Sequence, residues 1–421
     1  MAFAVLVPAL RKRNSDEERA MISRAETIAH EEFPGHDSDD ILLEHLRGGS
    51  FNRVVAIKIC EPEKPQLPAF LENARKGLSK RLSSSDPRKS RPGEELILRA
   101  PRRSEIDKSM WYNVVTLAFL ARRLPYPVPR VILHNIWPEN PLEQGYMIQE
   151  RLPGIPLVDY MNEELPDEQL FAIAEQVCQV VVSISSITHH TAGIIGLGNT
   201  ALDFDEGGNF FTTPQHLLGP AEQRLNDIDP EPCRPQTTVE LLLELCDRRR
   251  KLEYATQDET NDEVWEGFSR IIRKLHQLGF LPDDEKFHFC HRDFQPRNML
   301  TQIQDGNPVV TGILDWDSAA FVPKFVSMRA PFFLWSGYAD DEWDEYMAVK
   351  NSERPEYKQC KLIFEKVVGP EFLRYAYSRE YIIARRVFNV IEKGIYSRYS
   401  KMEALRIIAD FKRLIHRHSC C

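Results

Sequence analysis

The sequence predicts an α+β protein in which a small antiparallel sheet with one helix precedes a larger, mainly helical part. Between residues 41 and 153, short apolar and β-branched runs are separated by glycine and proline turns, a pattern typical of strands. One stretch in this region, 105–123, instead carries its apolar residues at helical spacing. After residue 153 the longer segments follow the helical period, apart from one short hairpin near residue 300.

The first two strands are predicted within residues 43–58, on either side of a turn formed by Gly48, Gly49 and Ser50. Glycines allow the backbone to come close to phosphate oxygens, and the Ser50 hydroxyl and main-chain N–H groups can donate hydrogen bonds to them. The same glycines would also suit an ordinary hairpin turn. The turn alone therefore indicates either a phosphate-binding loop or a plain connection.

The third strand is predicted over residues 95–101 and carries Arg99. Lys58 follows Gly48 by only ten residues, which leaves room for one strand, so Lys58 belongs to the second strand. The planar guanidinium of Arg99 is suited to bidentate contact with phosphate oxygens. The alternatives are that Arg99 is a surface residue with a packed aliphatic stem, or that Lys58 is the phosphate-binding residue.

Residues 61–93, between the second and third strands, are rich in proline, serine and charge, which indicates a flexible insertion. Strands four and five are predicted over residues 127–133 and 146–150, followed by a turn at 152–154. In the later part, helices are predicted over four segments: residues 167–187, 235–254, 262–279 and, with a break near 393–394, 371–417.

The stretch that carries the chemistry is residues 291–300, which read HRDFQPRNML, together with Asp315. Apolar runs at 299–300 and 308–314 flank a turn at 304–307, so they form a hairpin that returns Asp315 to Asn298. Phosphoryl transfer asks a protein mainly to position a hydroxyl and to hold Mg²⁺ on nucleotide phosphates. Asp293 would accept the hydroxyl proton, and Asn298 and Asp315 would bind the metal. The alternative is a loop capped by Asp293 and Asn298.

These residues resemble the aminoglycoside phosphotransferase and choline kinase-like family of the protein-kinase-like fold, particularly a fungal-type branch whose loop reads H-x-D-F-x-x-x-N. The resemblance extends over about residues 40 to 350. Asp315-Trp316-Asp317 stands where protein kinases have D-F-G, no A-P-E follows, and Gln295 replaces their usual lysine. A small-molecule acceptor is therefore favoured over a protein substrate. Asp317 would be a second metal ligand or a turn cap.

The resemblance implies a bilobal molecule with ATP and Mg²⁺ as cofactors and a small-molecule hydroxyl as acceptor. The chain is expected to divide into a helical extension at 1–40, a nucleotide-binding lobe at 41–153 and a catalytic lobe at 154–421. Arg99 would take the role of the lysine of strand three and meet the α and β phosphates. Adenine would bind main-chain groups around Gln149 and Arg151.

One residue departs from the family pattern. The helix at 105–123 usually supplies a glutamate to the basic residue of strand three, and Asn113 stands there. An amide can orient Arg99 but cannot neutralise it. The alternative function is therefore a nucleotide-binding pseudokinase or scaffold with little or no turnover.

Composition limits the partners. A net charge of −9 argues against nucleic acid as a partner. No stretch reaches the ~18 uncharged apolar residues that a membrane span needs, so no membrane partner is expected. The eight cysteines show no C-x-x-C spacing, which favours a reducing, cytoplasmic setting.

An acidic run follows the catalytic segment at residues 340–345. Such a run can attract a cationic acceptor. A solvated acidic turn is the favoured interpretation, because charge runs usually face water.

Overall fold

The computed structural model describes residues 3–36, 38–46, 52–60, 95–102, 109–161, 165–196, 211–213, 233–256, 260–336 and 344–419. The chain divides into a smaller unit, residues 1–121 with 128–152, and a larger unit, residues 122–127 with 153–421. The turn Gly48-Gly49-Ser50 and the insertion 61–93 lie outside the described residues.

In the part of the smaller unit that the structure describes, a five-stranded antiparallel sheet is accompanied by two α-helices. Its elements are α1 (Phe3–Glu32), β1 (Ile41–Leu46), β2 (Asn52–Ile59), β3 (Glu95–Pro101), α2 (Ser109–Arg123, of which 122–123 belong to the larger unit), β4 (Val131–Asn135) and β5 (Tyr146–Glu150). The strand order is β1-β2-β3-β5-β4. Lys58 lies on β2 opposite Glu95, and Arg99 lies on the central strand β3, between Val54 and Met147. The prediction that Lys58 belongs to strand two is confirmed.

Helix α1 contributes to the core of the smaller unit. Its residues Met21, Ala25, Ile28 and Ala29 are buried, a spacing that places them on one face of the helix. They pack in one cluster with buried strand residues: Val55, Ile57, Leu96, Leu98 and Ile148. The α1 face therefore covers apolar side chains that β2, β3 and β5 present to it.

The larger unit is mainly helical. Its helices are α3 (Leu157–Met161), α4 (Asp167–Ser186), α5 (Thr238–Thr256), α6 (Asp262–Gln277), α7 (Lys324–Ser327), α8 (Phe333–Ser336), α9 (Pro355–Tyr377), α10 (Arg379–Lys393) and α11 (Arg398–Ser419). Its strands are β6 (Ile155–Pro156), β7 (Thr188–His189), β8 (Ile194–Gly196), β9 (Phe211–Thr213), β10 (Phe287–Cys290), β11 (Met299–Gln304), β12 (Asn307–Ile313) and β13 (Ala320–Val322). The predicted fold class, a small antiparallel sheet followed by a larger helical part, is confirmed.

Helix α4 is the central helix of this unit. It packs against α9 and β12, and the Gln176 side chain joins the edge of β12 by donating to Pro308 O (2.7 Å) and accepting from Val310 N (3.0 Å). Of the described helices, α4 is the one long and apolar enough to cross a membrane by length and composition. Half of that stretch is buried inside the protein, as in a core helix.

The predicted hairpin is confirmed as β11 and β12. Its turn is Asp305-Gly306, where both residues have positive φ (51° and 80°), as a type I′ turn requires. The hairpin is fastened to the chain that enters the larger unit, because Thr311 Oγ1 donates to Pro153 O (2.5 Å). Gly154 has φ 111°, and a Cβ there would lie 2.6 Å from Thr311 Oγ1, so the close approach requires glycine.

The C-terminal helices differ from the prediction of one segment, 371–417, with a single break. The break near residue 394 is confirmed, since α10 ends at Gly394 with φ 75°. However, α9 begins at Pro355 and bends at Gly369, and a second break falls at Ser378. Ser378 is extended (ψ 135°) and its hydroxyl donates to Arg374 O, which ends α9 without glycine or proline.

Candidate active site

The loop 291–298 starts at the end of β10, which pairs with β7 and β13. His291 is 1% exposed, its ring lies 4.4 Å from the Trp316 ring, and its Nε2 donates to Leu314 O at 2.8 Å. Burial lowers the pKa of His291, so the imidazole is neutral. His291 is therefore a buried support that fastens the loop to the end of the hairpin.

Asp293 and Asn298 contact each other directly. Asn298 Nδ2 donates to Asp293 Oδ2 (2.9 Å) and to the main-chain oxygen of Asp293 (2.8 Å). Arg297 Nη2 donates to Asp293 Oδ1 at 2.8 Å. Because both Nδ2 hydrogens are used, the amide orientation is set and Oδ1 is the atom that can bind a metal. The Asp293 side chain is 29% exposed, which leaves it accessible to a substrate.

Asp315 is brought to this loop by its neighbour Leu314. Leu314 N donates to Asn298 O (2.7 Å), while Leu314 O accepts from His291. Asp315 itself has left-handed backbone angles (φ 60°, ψ 55°) and begins the short 3₁₀ helix 316–318. Arg292 is also left-handed (φ 65°). Each such non-glycine residue costs roughly 1–3 kcal/mol and persists where the surroundings hold it, a feature of functional sites.

Asn298 and Asp315 carry the kinds of oxygen donors that a magnesium site uses. Mg²⁺ prefers oxygen ligands and is usually held by one or two protein side chains and by substrate phosphates. Among the described residues, no group of three His, Cys, Asp or Glu side chains could hold a metal ion by itself. The side-chain oxygen Oδ1 of Asn298 and the Asp315 carboxylate are oxygen donors of the kind that such a shared site needs.

In the smaller unit, the structure shows where the expected nucleotide residues lie. Arg99 is 9% exposed on β3, so the interpretation as a surface arginine is wrong. Lys58 is half exposed and its Nζ lies 3.7 Å from Glu95 Oε1. Arg151 pairs with the same carboxylate, because its Nη1 lies 3.4 Å from Glu95 Oε2. Asn113 is half-buried on α2.

Gln149 and the main-chain groups around it are the expected adenine contacts. Gln149 lies on β5 opposite Ile97 and is buried, and its side-chain Oε1 has no hydrogen-bond partner among the described residues. The N–H of Glu150 donates to Arg130 O (2.9 Å) and that of Arg151 donates to Glu95 O (3.0 Å). These two N–H groups are therefore used within the sheet.

The acidic run contains one residue that the sequence analysis misread. Residues 340–343 lie outside the described residues, and Asp344 caps the short helix 345–348 by accepting from Tyr346 N (3.0 Å). Glu345 is 1% exposed, between Arg329 and Arg385. For Glu345 the expectation of a solvated acidic turn is therefore wrong, because two arginines pair with it inside the protein.

Sequence reasoning also missed the partner of Arg292. This guanidinium donates to Ser318 O (3.1 Å) and pairs with Glu392 at the end of α10. Nothing in the local pattern identifies Glu392, since a charged residue near a helix end is common on protein surfaces. The burial of the pair supplies the only signal, and burial is a tertiary property.

An antiparallel sheet with helices packed in the same unit is followed by a helical unit whose loop and hairpin bring Asp293, Asn298 and Asp315 into one region. This arrangement defines the class of protein-kinase-like phosphotransferases. The chain belongs to the phosphotransferase enzyme family, whose model matches residues 81–323. The predicted family is confirmed, and the fungal-type branch stays a prediction. No curated protein matches the sequence.

Several solved structures are similar to this chain. Aminoglycoside phosphotransferase APH(4)-Ia has 16% identity and a TM-score of 0.48, with 92% of this chain and 98% of that chain covered. The GDP and kanamycin complex of APH(2″)-IIIa has 12% identity, a TM-score of 0.44 and coverage of 92% and 97%. Macrolide 2′-phosphotransferase MphH from Brachybacterium faecium has 13% identity, a TM-score of 0.42 and coverage of 89% and 93%. Similarity at this level of identity does not show which ligands this chain binds.

Proposed function

We propose that the protein transfers the γ-phosphoryl group of ATP to a hydroxyl of a small molecule, with Mg²⁺ as cofactor. The proposal rests on two hydrogen bonds: Asn298 Nδ2 donates to Asp293 Oδ2, and Leu314 N donates to Asn298 O. The Asp293 carboxylate, the Asn298 amide and Asp315, which follows Leu314, therefore lie on adjoining segments of backbone. These are the oxygen-bearing groups that phosphoryl transfer requires.

Asp293 is proposed to orient the acceptor hydroxyl and to take its proton. In the transfer, the bond between the γ-phosphorus and the oxygen bridging to the β-phosphate breaks, and a bond forms between that phosphorus and the acceptor oxygen. The hydroxyl proton passes to the Asp293 carboxylate, and ADP leaves with the bridging oxygen. The contact with Asn298 keeps Oδ2 of Asp293 in one position, which reduces the cost of orienting the base.

Asn298 Oδ1 and the Asp315 carboxylate are proposed to hold Mg²⁺. When bound, the ion neutralises negative charge on the phosphates of the nucleotide. The left-handed backbone of Asp315 is consistent with a residue held in one orientation for that purpose. In the smaller unit, Arg99 is proposed to contact phosphate. Adenine is proposed to contact main-chain oxygens near Gln149 and Arg151, because the N–H groups of Glu150 and Arg151 already donate within the sheet.

A nucleotide-binding pseudokinase or scaffold is the second candidate. The specific observation in its favour is Asn113, where the family pattern has a carboxylate for the basic residue of strand three. Such a protein would bind ATP and would not turn it over. The two candidates therefore differ in turnover and agree in nucleotide binding.

The test is a thermal-shift titration with ATP, GTP and ADP, each with and without Mg²⁺, followed by an assay of ADP formation. A ligand at 100 times its dissociation constant stabilises the folded state by about 2.7 kcal/mol. A Mg²⁺-dependent rise in melting temperature together with ADP formation supports the enzyme. The same rise without ADP formation under any acceptor tried supports the scaffold, and no rise at millimolar nucleotide contradicts both.

A further inference from the structure

A cavity of about 120 Å³ lies beside the catalytic loop, wholly within the larger unit. Its walls come from α4, from residues 290–295, from the segment 326–336 and from Met347. Arg292 and Phe294, the two neighbours of Asp293 in the chain, both line it. The cavity therefore adjoins the residue proposed to receive the hydroxyl proton.

The cavity wall contains no acidic side chain among the described residues. Its two arginines are each paired with a carboxylate that lies outside the lining: Arg292 Nη2 is 2.6 Å from Glu392 Oε1, and Arg329 Nε is 2.7 Å from Glu345 Oε1. The cavity therefore offers no carboxylate that would attract a polycation, and each of its two guanidinium groups already contacts a carboxylate.

The other ionisable groups of the wall are uncharged at neutral pH. Burial raises the pKa of the Cys290 thiol to about 11, and burial lowers the pKa of His291. Ser327 is already used, because its hydroxyl donates to Phe289 O at 2.6 Å. Cys290 and His291 therefore add no charge to the wall.

Aromatic and aliphatic side chains form most of the remaining wall. Phe294 and Phe333 lie with their ring centroids 6.4 Å apart, and Phe332, Val326 and Ile184 also line the cavity. Apolar walls with a few polar groups are typical of small-molecule sites, and aromatic side chains favour contact with an apolar or aromatic ligand.

Two buried side-chain atoms of the wall, Gln295 Oε1 and His291 Nδ1, lack a hydrogen-bond partner among the described residues. Gln295 is 6% exposed and lines the cavity, and its Oε1 has no hydrogen-bond partner within the part of the chain that the structure describes. A buried acceptor without a partner costs roughly 1–3 kcal/mol, so a ligand that donates to it recovers that energy. This atom specifies a hydroxyl or N–H group on the ligand.

We propose that this cavity binds the phosphate acceptor, and that the acceptor is a neutral alcohol with an aromatic or other apolar body and a second group that donates a hydrogen bond to Gln295 Oε1. The inference rests on the proposed function for the transfer step, which is the one written above with this alcohol as acceptor. It excludes a polycationic acceptor from the cavity.

The experiment measures binding by saturation-transfer NMR, without nucleotide, so that its result does not depend on turnover. The probes are 4-hydroxyphenethyl alcohol, 2-phenylethanol, which lacks the second donor, and kanamycin as a polycation. We expect 4-hydroxyphenethyl alcohol to bind best and kanamycin to show no binding at the cavity. The Gln295→Leu variant should bind 4-hydroxyphenethyl alcohol about fivefold to tenfold more weakly than the wild type, the equivalent of one neutral hydrogen bond.

The matched control is Gln302→Leu, since Gln302 is an exposed glutamine on β11 outside the cavity, and it should bind the probe like the wild type. Ile184→Phe, which fills the cavity from α4, should abolish binding and serves if Gln295→Leu does not fold. The inference is overturned if kanamycin binds more strongly than the neutral alcohols, or if neither alcohol binds. It is also overturned if Gln295→Leu and Ile184→Phe both bind 4-hydroxyphenethyl alcohol like the wild type.

A separate assay then offers the bound alcohol with ATP and Mg²⁺. Phosphorylation of the probe supports both proposals. Binding that is lost in Ile184→Phe but leads to no phosphate transfer supports the ligand class of the cavity and counts against the proposed phosphotransferase activity. The two failures are therefore distinguishable.

Discussion

Glu392 at the end of α10 pairs with Arg292 of the catalytic loop, with 2.6 Å between Oε1 and Nη2 and side chains only 12% and 9% exposed. Arg249 on α5 donates to the main-chain oxygens of Ile391 and Glu392, which anchors this end of α10. Arg292 precedes Asp293 and has a left-handed backbone. The strained position of the loop is therefore held by a helix distant in sequence.

We expect Glu392→Ala to destabilise the protein by about 3–5 kcal/mol, because the loss of one partner leaves the other charge buried and unpaired. Turnover should fall as well, since Arg292 would no longer hold Asp293 in place. Urea unfolding measures the first effect and phosphate transfer the second. The control is Asp247→Ala, whose pair with Lys251 is exposed on both sides (56% and 74%) and should contribute less than about 1 kcal/mol. Equal losses in both variants would contradict the role of Glu392.

Asp293→Asn should lower turnover by about 10²–10⁴-fold, the usual contribution of a general base, while nucleotide binding persists. The substitution keeps the size of the side chain and removes its ability to accept the hydroxyl proton. Asp305→Asn is the matched control, because Asp305 occupies the hairpin turn with φ 51°, a conformation that asparagine also adopts. Full activity in Asp293→Asn would show that another group takes the proton.

Local chemistry made parts of this site predictable from sequence. The hairpin β11–β12 was predicted because Asp305-Gly306 has a strong preference for a two-residue turn. The pairing that follows carries Leu314 to Asn298, so Asp315 reaches the loop by short-range geometry alone. The order of strands similarly showed that Lys58 belongs to β2, because a fixed rise per residue limits what ten residues can span.

Long-range burial was not predictable in the same way. Glu345 stands in a run of acidic residues, and nothing nearby indicates that Arg385, on a later helix, encloses it. Arg292 and Glu392 likewise have the appearance of surface residues. The cavity beside Gln295 depends on side chains from four separate segments, and packing between distant segments leaves no local periodicity.

Asp315→Asn should weaken the binding of nucleotide in the presence of Mg²⁺ and leave binding without the metal little changed. A neutral amide is a poorer ligand than a carboxylate for a hard divalent cation. Isothermal titration with ADP, with and without Mg²⁺, measures the difference. Asp317→Asn is a useful comparison, because it distinguishes a second metal ligand from a turn cap: a cap should leave the metal dependence unchanged. If the metal dependence of ADP binding is unchanged in Asp315→Asn, Asp315 is not a metal ligand.

The pH dependence of stability should reveal Glu345. Burial by itself would raise the pKa of Glu345, but Arg329 and Arg385 outweigh burial and hold the pKa below its ordinary value of 4.5. Because the folded state then binds protons less readily than the unfolded state, the stabilisation is present above pH 4.5 and is lost as the pH falls through the folded pKa.

We therefore expect Glu345→Gln to lower the free energy of unfolding at pH 7 by about 3–5 kcal/mol, since Arg385 would be left buried without its charge partner. Below pH 4.5 the difference from the wild type should shrink, because the wild-type carboxyl becomes protonated and is then also neutral. Urea unfolding at pH 7 and at several lower pH values measures both effects. Glu168→Gln, an exposed glutamate in the first turn of α4, is the control and should change stability little at either pH. A difference between Glu345→Gln and wild type that stays constant as the pH falls would show that the loss comes from packing rather than from the charge of Glu345.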